Sequence, residues 1–188
     1  MRELIVIIYK VENDVEKFSI ALPMNDSIWE ANTLVFNGSS KKGSWKDIDF
    51  FLQDKRLEIP NCIYIAPGAI AFDEAAADSL IDILEMSGEL LPVTIDGKAY
   101  FLHNITEVVG ALDEEKTSWD IIDGVKIDIL KYCFLPNRLS ESSLFKIPNL
   151  NSIDIFAYSH GKDLSDEFVF RYNQANLKGL KFIQVFSA

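Results

Sequence analysis

Few side chains of this sequence belong to the types that perform nucleophilic catalysis. The 188 residues contain two histidines, His103 and His160, and two cysteines, Cys62 and Cys133. Ser159 directly precedes His160, but neighbours in sequence rarely face each other as nucleophile and base. The chain also lacks the Gly-x-Ser-x-Gly turn of the common serine hydrolases. The sequence therefore predicts a protein that is not a Ser/His or Cys/His enzyme.

Metal and cofactor sites are not indicated either. Zinc sites need closely spaced Cys and His residues, which this sequence does not contain. Asp120, Asp123 and Asp128 are spaced somewhat like calcium ligands, but the Asp-x-Asp-x-Asp-Gly loop and its closing Glu are missing. No glycine-rich phosphate-binding loop is present. We therefore expect no metal and no cofactor, and we interpret the three aspartates as solvated charges of a turn and a strand.

Carboxylates are the most prominent chemical groups of the chain. The sequence contains 29 acidic and 18 basic residues, and its formal net charge is −11. This balance argues against a nucleic-acid partner, because phosphates are neutralised by clustered Lys and Arg. An uncompensated acidic surface favours association with a basic protein instead. The alternative, an ordinary solvated surface, stays open.

Two acidic groups are candidate partner-binding residues. The first group lies along a predicted helix, and the second lies in a predicted charged loop at Asp113–Lys116. The candidates are Glu74, Asp78, Asp82 and Glu85 in the helix, and Asp113, Glu114 and Glu115 in the loop.

The helix that positions the first group has clear sequence signals. Asp73 is a suitable N-cap and Gly88 a suitable stop. The apolar residues that recur at helical spacing, and that predict the buried face, are Ala76, Leu80, Ile83 and Leu84. The four carboxylates then fall on the opposite, exposed face.

A β-hairpin is predicted directly after this helix. Leu91–Ile95 and Lys98–Leu102 flank Asp96-Gly97, a pair that readily adopts the positive φ angles of a type I′ turn. The next segment, Asn104–Leu112 with a cap at Thr106, is predicted to form a short helix.

The remaining elements are predicted to be strands and one more helix. Val125, Ile127 and Ile129 alternate with charged residues, which predicts a half-buried antiparallel strand. The other predictions are strands at Glu3–Val11 (buried over Leu4–Tyr9), Phe18–Leu22, Cys62–Ala66, Leu144–Ile147, Ser152–Tyr158 and Leu180–Phe186, and a helix at Leu164–Asn176. The last strand is apolar on both faces, which fits an internal strand or an edge at a dimer interface. Together they predict a single α+β domain over residues 1–188, with a mixed, largely antiparallel sheet and two main helices.

The compartment is predicted from the thiols and from the first residues. Both cysteines lie in apolar stretches, which is typical of buried free thiols in a reducing compartment. A disulfide between them stays open from the sequence alone. The apolar run Leu4–Tyr9 is too short for a signal peptide or a membrane helix. We expect a cytoplasmic protein without a membrane partner, and the sequence leaves the oligomeric state open.

Residues 88–113 carry a family resemblance. Glu89–Val93 reads Glu-Leu-Leu-Pro-Val, Tyr100–Asn104 is a tyrosine-containing strand that ends in Asn, and Gly110–Asp113 reads Gly-Ala-Leu-Asp. These segments resemble the centre of a bacterial family, the myxobacterial-type immunity proteins of polymorphic toxin systems, first described as a domain of unknown function. Gly110 stands where that family often has Asp.

The resemblance extends over roughly residues 60–186, and residues 1–60 match weakly. Leu144–Pro148 and Leu177–Phe182 are similar to the family's later strands. The family has no agreed catalytic residues to carry over. The resemblance implies a non-enzymatic, cytoplasmic protein that binds and neutralises a co-encoded toxin. The alternatives are a general protein-interaction domain and a small hydrolase that uses scattered Asp, Glu and His.

Overall fold

The fold was described from a computed structural model, which covers residues 5–30 and 33–188. The strands of these residues are β1 (Ile7–Asn13), β2 (Ala21–Pro23), β3 (Ile48–Leu52), β4 (Cys62–Ala66), β5 (Ala69–Asp73), β6 (Gly88–Ile95), β7 (Lys98–Ile105), β8 (Ser118–Ile122), β9 (Val125–Lys131), β10 (Leu144–Lys146), β11 (Ile155–Ser159) and β12 (Leu180–Ser187). The helices are the single turn α1 (Ser27–Glu30) and the two longer helices α2 (Glu74–Ser87) and α3 (Phe168–Gln174). The predicted α+β class is confirmed.

The strands form three sheets. A six-stranded sheet has the order β2-β3-β6-β7-β5-β4, and a four-stranded sheet has the order β10-β11-β1-β12. Strands β8 and β9 form a separate two-stranded sheet. Neighbouring strands run antiparallel except for the parallel pair β3 and β6, so the predicted mixed, largely antiparallel arrangement is also confirmed.

Helix α2 packs between the two larger sheets through its apolar face. Its buried residues contact side chains of β5 and β7 on one side and of β10, β11 and α3 on the other. The predicted cap is confirmed, because Asp73 Oδ1 accepts a hydrogen bond from the Ala76 N–H at 2.8 Å. The predicted buried residues Ala76, Leu80, Ile83 and Leu84 are all buried.

Gly88 ends the helix for a different reason from the one its sequence position indicates. Its φ is 176°, so the backbone is extended and continues directly into β6 without a left-handed cap. A Cβ at this position would lie 2.2 Å from the carbonyl oxygen of Asn104. The glycine is therefore required by the close approach of β7.

The predicted hairpin of β6 and β7 is confirmed in its register. Ile95 pairs with Lys98, Val93 with Tyr100, and Leu91 with Leu102. Both turn residues have positive φ, 47° at Asp96 and 78° at Gly97, as a type I′ turn requires.

The predicted helix at Asn104–Leu112 is wrong. Asn104 and Ile105 belong to β7, and the following residues form no helix but single β-bridges at Val108 and Leu112. The N–H of Val109 donates a hydrogen bond to the carbonyl oxygen of Lys146 at 2.7 Å. The N–H of Lys146 donates one to the carbonyl oxygen of Glu107 at 2.8 Å. This segment thus runs as an extra partner beside β10, which satisfies its backbone groups without a helix.

The predicted helix at Leu164–Asn176 is divided. Residues 164–166 form one 3-10 turn, and α3 begins only at Phe168. Glu167 between them is extended, and its carboxylate accepts hydrogen bonds from the N–H groups of His160 and Gly161 at 2.9 and 2.7 Å. These bonds fix the end of β11 to the start of α3 and interrupt the helix.

The final strand β12 lies at an edge of its sheet, which excludes the internal position, one of the two alternatives that its apolar faces left open. It pairs with β1 alone among the described strands. Its two faces are nevertheless both apolar, because both faces of the sheet are covered. Phe182 packs on the α2 and α3 side, and Phe186 contacts Phe134 on the other, with ring centroids 5.8 Å apart.

Two predictions near the cysteines and the start of the chain need correction. Cys62 is buried in β4, but Cys133 is partly exposed and follows the end of β9; both thiols are free. Strand β1 begins at Ile7, later than predicted, and Glu3 and Leu4 lie outside the described residues.

None of the helices in the described part of the chain combines the length and the apolar character that a membrane crossing requires.

Lys146 of β10 is a charged residue in the interior. Its exposed fraction is 0%. Its Nζ donates to the carbonyl of Phe36 at 2.7 Å, and no carboxylate of the described residues forms an ion pair with it. Burial without a counter-charge lowers the pKa of Lys146 to about 8.

The turn of the β6–β7 hairpin gives the first testable prediction. Gly97→Val places a β-branched residue at φ 78°, and we expect it to lower the free energy of unfolding by about 1–3 kcal/mol. Gly97→Asn is the matched control, because Asn tolerates this region, and no atom lies within 4 Å of the added Cβ. Equal melting temperatures for the two variants would contradict the turn assignment.

Lys146 gives the second prediction. Its pKa falls from 10.5 in the unfolded chain to about 8 in the fold, so the unfolded state binds the proton more tightly. Stability is therefore gained as pH rises through this window, by about 2 kcal/mol between pH 7.5 and 9.5. Urea titrations should show this gain in wild type and in the exposed control Lys98→Met, and Lys146→Met should lack it. A parallel gain in Lys146→Met would contradict the assignment.

Candidate binding surface

The two histidines lie in structural positions. His103 is fully buried in β7, where its Nε2 lies 2.9 Å from the carbonyl of Leu84 and 3.1 Å from Ser87 Oγ. Burial lowers the pKa of His103 to about 4, so the imidazole is neutral at physiological pH. These contacts fasten the last turn of α2 to the sheet.

Ser159 and His160 do not face each other as a nucleophile and its base. The Ser159 hydroxyl donates to Glu167. His160 Nδ1 accepts a hydrogen bond from the N–H of Lys162 at 3.0 Å. A serine nucleophile would instead donate its proton to the imidazole.

The three calcium-like aspartates are spread over the β8–β9 hairpin. Asp120 and Asp128 face each other across the ladder, and Asp123 lies in the turn with Gly124. No group of three or more His, Cys, Asp or Glu residues in the described ranges is arranged to hold a metal ion.

The predicted acidic stripe of α2 is exposed, and it is partly neutralised. Glu74, Asp78, Asp82 and Glu85 all point to solvent. Arg171 of α3 reaches Asp82, with its Nη1 3.2 Å from Asp82 Oδ2. The other three carboxylates form no ion pair with the residues that the structure describes. The stripe is therefore interrupted by a cation from another helix, which spacing within α2 does not reveal.

The predicted acidic loop lies against the β8–β9 hairpin. Asp113 pairs with Lys116 at 3.3 Å. Glu114 Oε2 accepts a hydrogen bond from Lys126 Nζ at 3.0 Å, and Glu114 Oε1 accepts one from Asn149 Nδ2 at 3.2 Å. These two donors lower the pKa of the Glu114 carboxyl below its ordinary value. Glu115 is exposed.

The β8–β9 hairpin presents apolar side chains to solvent. The prediction that Val125, Ile127 and Ile129 form a buried face of β9 is wrong, because Ile129 alone among the β9 residues is buried. The pair forms its own small sheet and is covered only where Trp119 and Ile129 pack on the neighbouring aromatic residues. The exposed apolar side chains, with their exposed fractions, are Ile121 (55%), Ile122 (55%), Val125 (62%), Ile127 (44%) and Leu130 (70%).

A signal for this hairpin is present in the sequence. Asp123-Gly124 is the same type of pair as Asp96-Gly97, and its φ angles of 50° and 80° are those of a type I′ turn. The dipeptide thus predicts that residues 118–131 form a hairpin and not one long strand. The exposure of its apolar residues has no local signal, since it depends on which other elements cover them.

A cleft of about 670 Å³ separates the hairpin from the segment 148–154. One wall is Trp119, and the Nζ of Lys126 lies 4.0 Å from the centre of its ring. The residues at the far side and the floor include Asn149, Leu150, Asn151, Asp154 and Lys10. The Nζ of Lys10 pairs with Asp154 Oδ1 at 3.0 Å.

The far wall has an unusual backbone. Leu150, Asn151 and Ser152 all have positive φ, between 50° and 63°. A left-handed conformation costs about 1–2 kcal/mol for each residue with a side chain, and such strain is often found beside binding sites.

The hairpin, the cleft and Glu114 form one surface, which we call the hairpin surface. It combines exposed apolar side chains with paired charges, as the binding surfaces of proteins do. Of the two predicted acidic groups, the loop residue Glu114 lies in this surface.

A scan against protein-family models gives no match to this chain, and a search of the curated proteins also gives none.

Proposed function

We propose that this protein is a non-enzymatic immunity protein, which binds a co-encoded bacterial toxin in the cytoplasm of the producing cell and neutralises it. The proposal rests on the resemblance of residues 60–186 to such proteins and on the hairpin surface. A protein-interaction domain with a different partner would use the same surface, so the test must include the toxin itself.

The exposed apolar residues of the hairpin carry the proposal. Side chains such as Val125 and Leu130 remain more than half exposed, although the chain buries many other apolar side chains in its interior. A cluster of exposed apolar side chains on a soluble protein marks a surface that a partner covers. Binding buries these side chains and supplies the affinity.

Two polar residues of the family-like motif stabilise the fold. Glu89 and Asn104 pair across β6 and β7, and Asn104 Nδ2 donates to Glu89 Oε1 at 2.8 Å and to the carbonyl of Ser39 at 2.9 Å. Glu89 Oε2 also accepts a hydrogen bond from the Ser40 hydroxyl at 2.8 Å. These bonds hold the 39–41 loop to the sheet. This part of the motif therefore has a structural role.

The acidic residues of α2 have a separate part in the proposed complex. Exposed carboxylates attract a basic partner over a distance of about one Debye length, and they mainly raise the association rate. The apolar residues of the hairpin act at contact, and their loss mainly raises the dissociation rate.

The apolar contribution is tested with Ile121→Thr, Val125→Thr and Leu130→Thr combined, since Thr keeps the strand propensity. We expect binding to the toxin encoded by the neighbouring gene to weaken at least about tenfold, and protection of cells to be lost. The matched control combines Val15→Thr, Met24→Thr and Ile59→Thr, which are similarly exposed residues outside the hairpin. Full protection by the folded hairpin variant would overturn the proposal that the hairpin binds the toxin.

The electrostatic contribution is tested with Glu74→Lys, Asp78→Lys and Glu85→Lys combined, and Asp82 is kept to preserve its pair with Arg171. The variant should fold normally, because its changed side chains are exposed. We expect slower association with the toxin at low salt and a weaker dependence of the rate on salt. The same association rate as wild type at low ionic strength would rule out the α2 stripe as a docking surface.

A further inference from the structure

We infer that the cleft of the hairpin surface is a receptor for a basic side chain of the partner, above all an arginine, and that Lys126 occupies this receptor in the free protein. The inference rests on the proposed function, which supplies a basic protein partner, and it names the part of the surface that recognises it.

The contacts of Lys126 define the receptor. Its Nζ lies 4.0 Å from the centre of the Trp119 ring and 3.0 Å from Glu114 Oε2. An indole face and a carboxylate on the same ammonium group are the two attractions that aromatic cation sites use. The chain's own lysine therefore shows that this position accommodates a cation.

The occupant can leave this position readily. The side chain of Lys126 is 43% exposed, and it lies two residues from the turn of the hairpin. Exposed ion pairs of this type contribute little to stability, because water solvates both charges well. The flexible stem of a lysine can thus swing into solvent when a stronger ligand enters.

The carboxylate of the receptor is held in place without Lys126. Asn149 Nδ2 donates to Glu114 Oε1 at 3.2 Å, so the strained wall and Glu114 remain joined. When Lys126 moves away, Glu114 Oε2 loses its cationic partner and can bind another cation in the cleft.

Space and charge favour an arginine as the ligand. The cleft of about 670 Å³ is lined by Asp128 and Asp154 as well as by Trp119 and Glu114. Lys10 already pairs with Asp154, which leaves Glu114 and Asp128 as carboxylates for an incoming cation. A planar guanidinium stacks on an indole and donates two parallel hydrogen bonds to a carboxylate, which an ammonium group cannot do.

The receptor can be tested on the isolated protein, without the toxin. The probe is N-acetyl-arginine amide, and its uncharged isostere N-acetyl-citrulline amide is the control ligand. Binding is followed by the NMR shift of the Trp119 indole proton, which is assigned with Trp119→Phe. Lys126→Ala removes the lysine side chain that occupies the receptor. Lys131→Ala is the matched control variant, because it removes an exposed lysine of the same strand.

We expect Lys126→Ala to bind the arginine probe about tenfold more tightly than wild type or Lys131→Ala. Adding Glu114→Gln to Lys126→Ala should abolish this gain, and the citrulline probe should not show it. Thermal unfolding of each variant checks that the fold is kept. Equal arginine affinities in Lys126→Ala and wild type, or equal affinities for the two probes, would overturn the inference.

Failure of this inference is distinguishable from failure of the proposed function. If the arginine probe does not bind better to Lys126→Ala but the threonine variants of the hairpin lose protection, the receptor is wrong and toxin binding by the hairpin stands. If the probe binds as expected but the hairpin variants protect fully, the assignment of the receptor to a toxin is overturned.

Discussion

A buried lysine joins the four-stranded sheet to the loop that precedes β3. Lys146 is part of β10, its backbone pairs with the segment at residues 107–109, and its Nζ donates to the carbonyl of Phe36. Gly68 is needed beside this bond, since a Cβ there would lie 2.4 Å from the Phe36 oxygen and 3.1 Å from Nζ. No carboxylate of the residues that the structure describes pairs with Lys146, and a buried charge without such a partner is costly. The Phe36 carbonyl and the close approach of Gly68 are therefore needed to satisfy this ammonium group.

The small β8–β9 sheet is not part of either of the two larger sheets. The interior between the larger sheets is filled by α2 and α3, and the opposite face of the four-stranded sheet is covered by a cluster of aromatic side chains, among them Phe134, Phe145 and Phe156. The hairpin adds Trp119 and Ile129 to that cluster and leaves its other apolar residues in water. Because few core contacts depend on those residues, they are free to serve binding at little expense of stability.

The correct predictions from sequence depend on neighbours in the chain. The cap at Asp73, the turn at Asp96-Gly97 and the apolar stripe of α2 each involve residues only a few positions apart, where backbone geometry and side-chain type decide the outcome. The wrong predictions concern partners that lie far along the chain. Residues 104–112 form no helix because Asn104 and Ile105 continue β7 and residues 107–109 pair with β10. Strand β12 is an edge strand because no second strand pairs with it among the described residues. Periodicity does not contain that information.

The sequence predicts that the loop around Glu114 is acidic, but it does not predict which residues surround Glu114 in the fold. Glu114 stands out from its sequence as part of an acidic loop, and its position against Lys126 and Asn149 depends on how two distant segments fold. This pairing changes its physical role. A neutralised carboxylate contributes little to a long-range field. In the proposed complex we therefore assign the attraction of the partner to the exposed carboxylates of α2, whereas Glu114 is hydrogen-bonded to Lys126 and Asn149 in the cleft that Trp119 also lines. The two acidic groups, which look alike in the sequence, thus have different surroundings in the fold, and for this reason the proposed function gives them different parts.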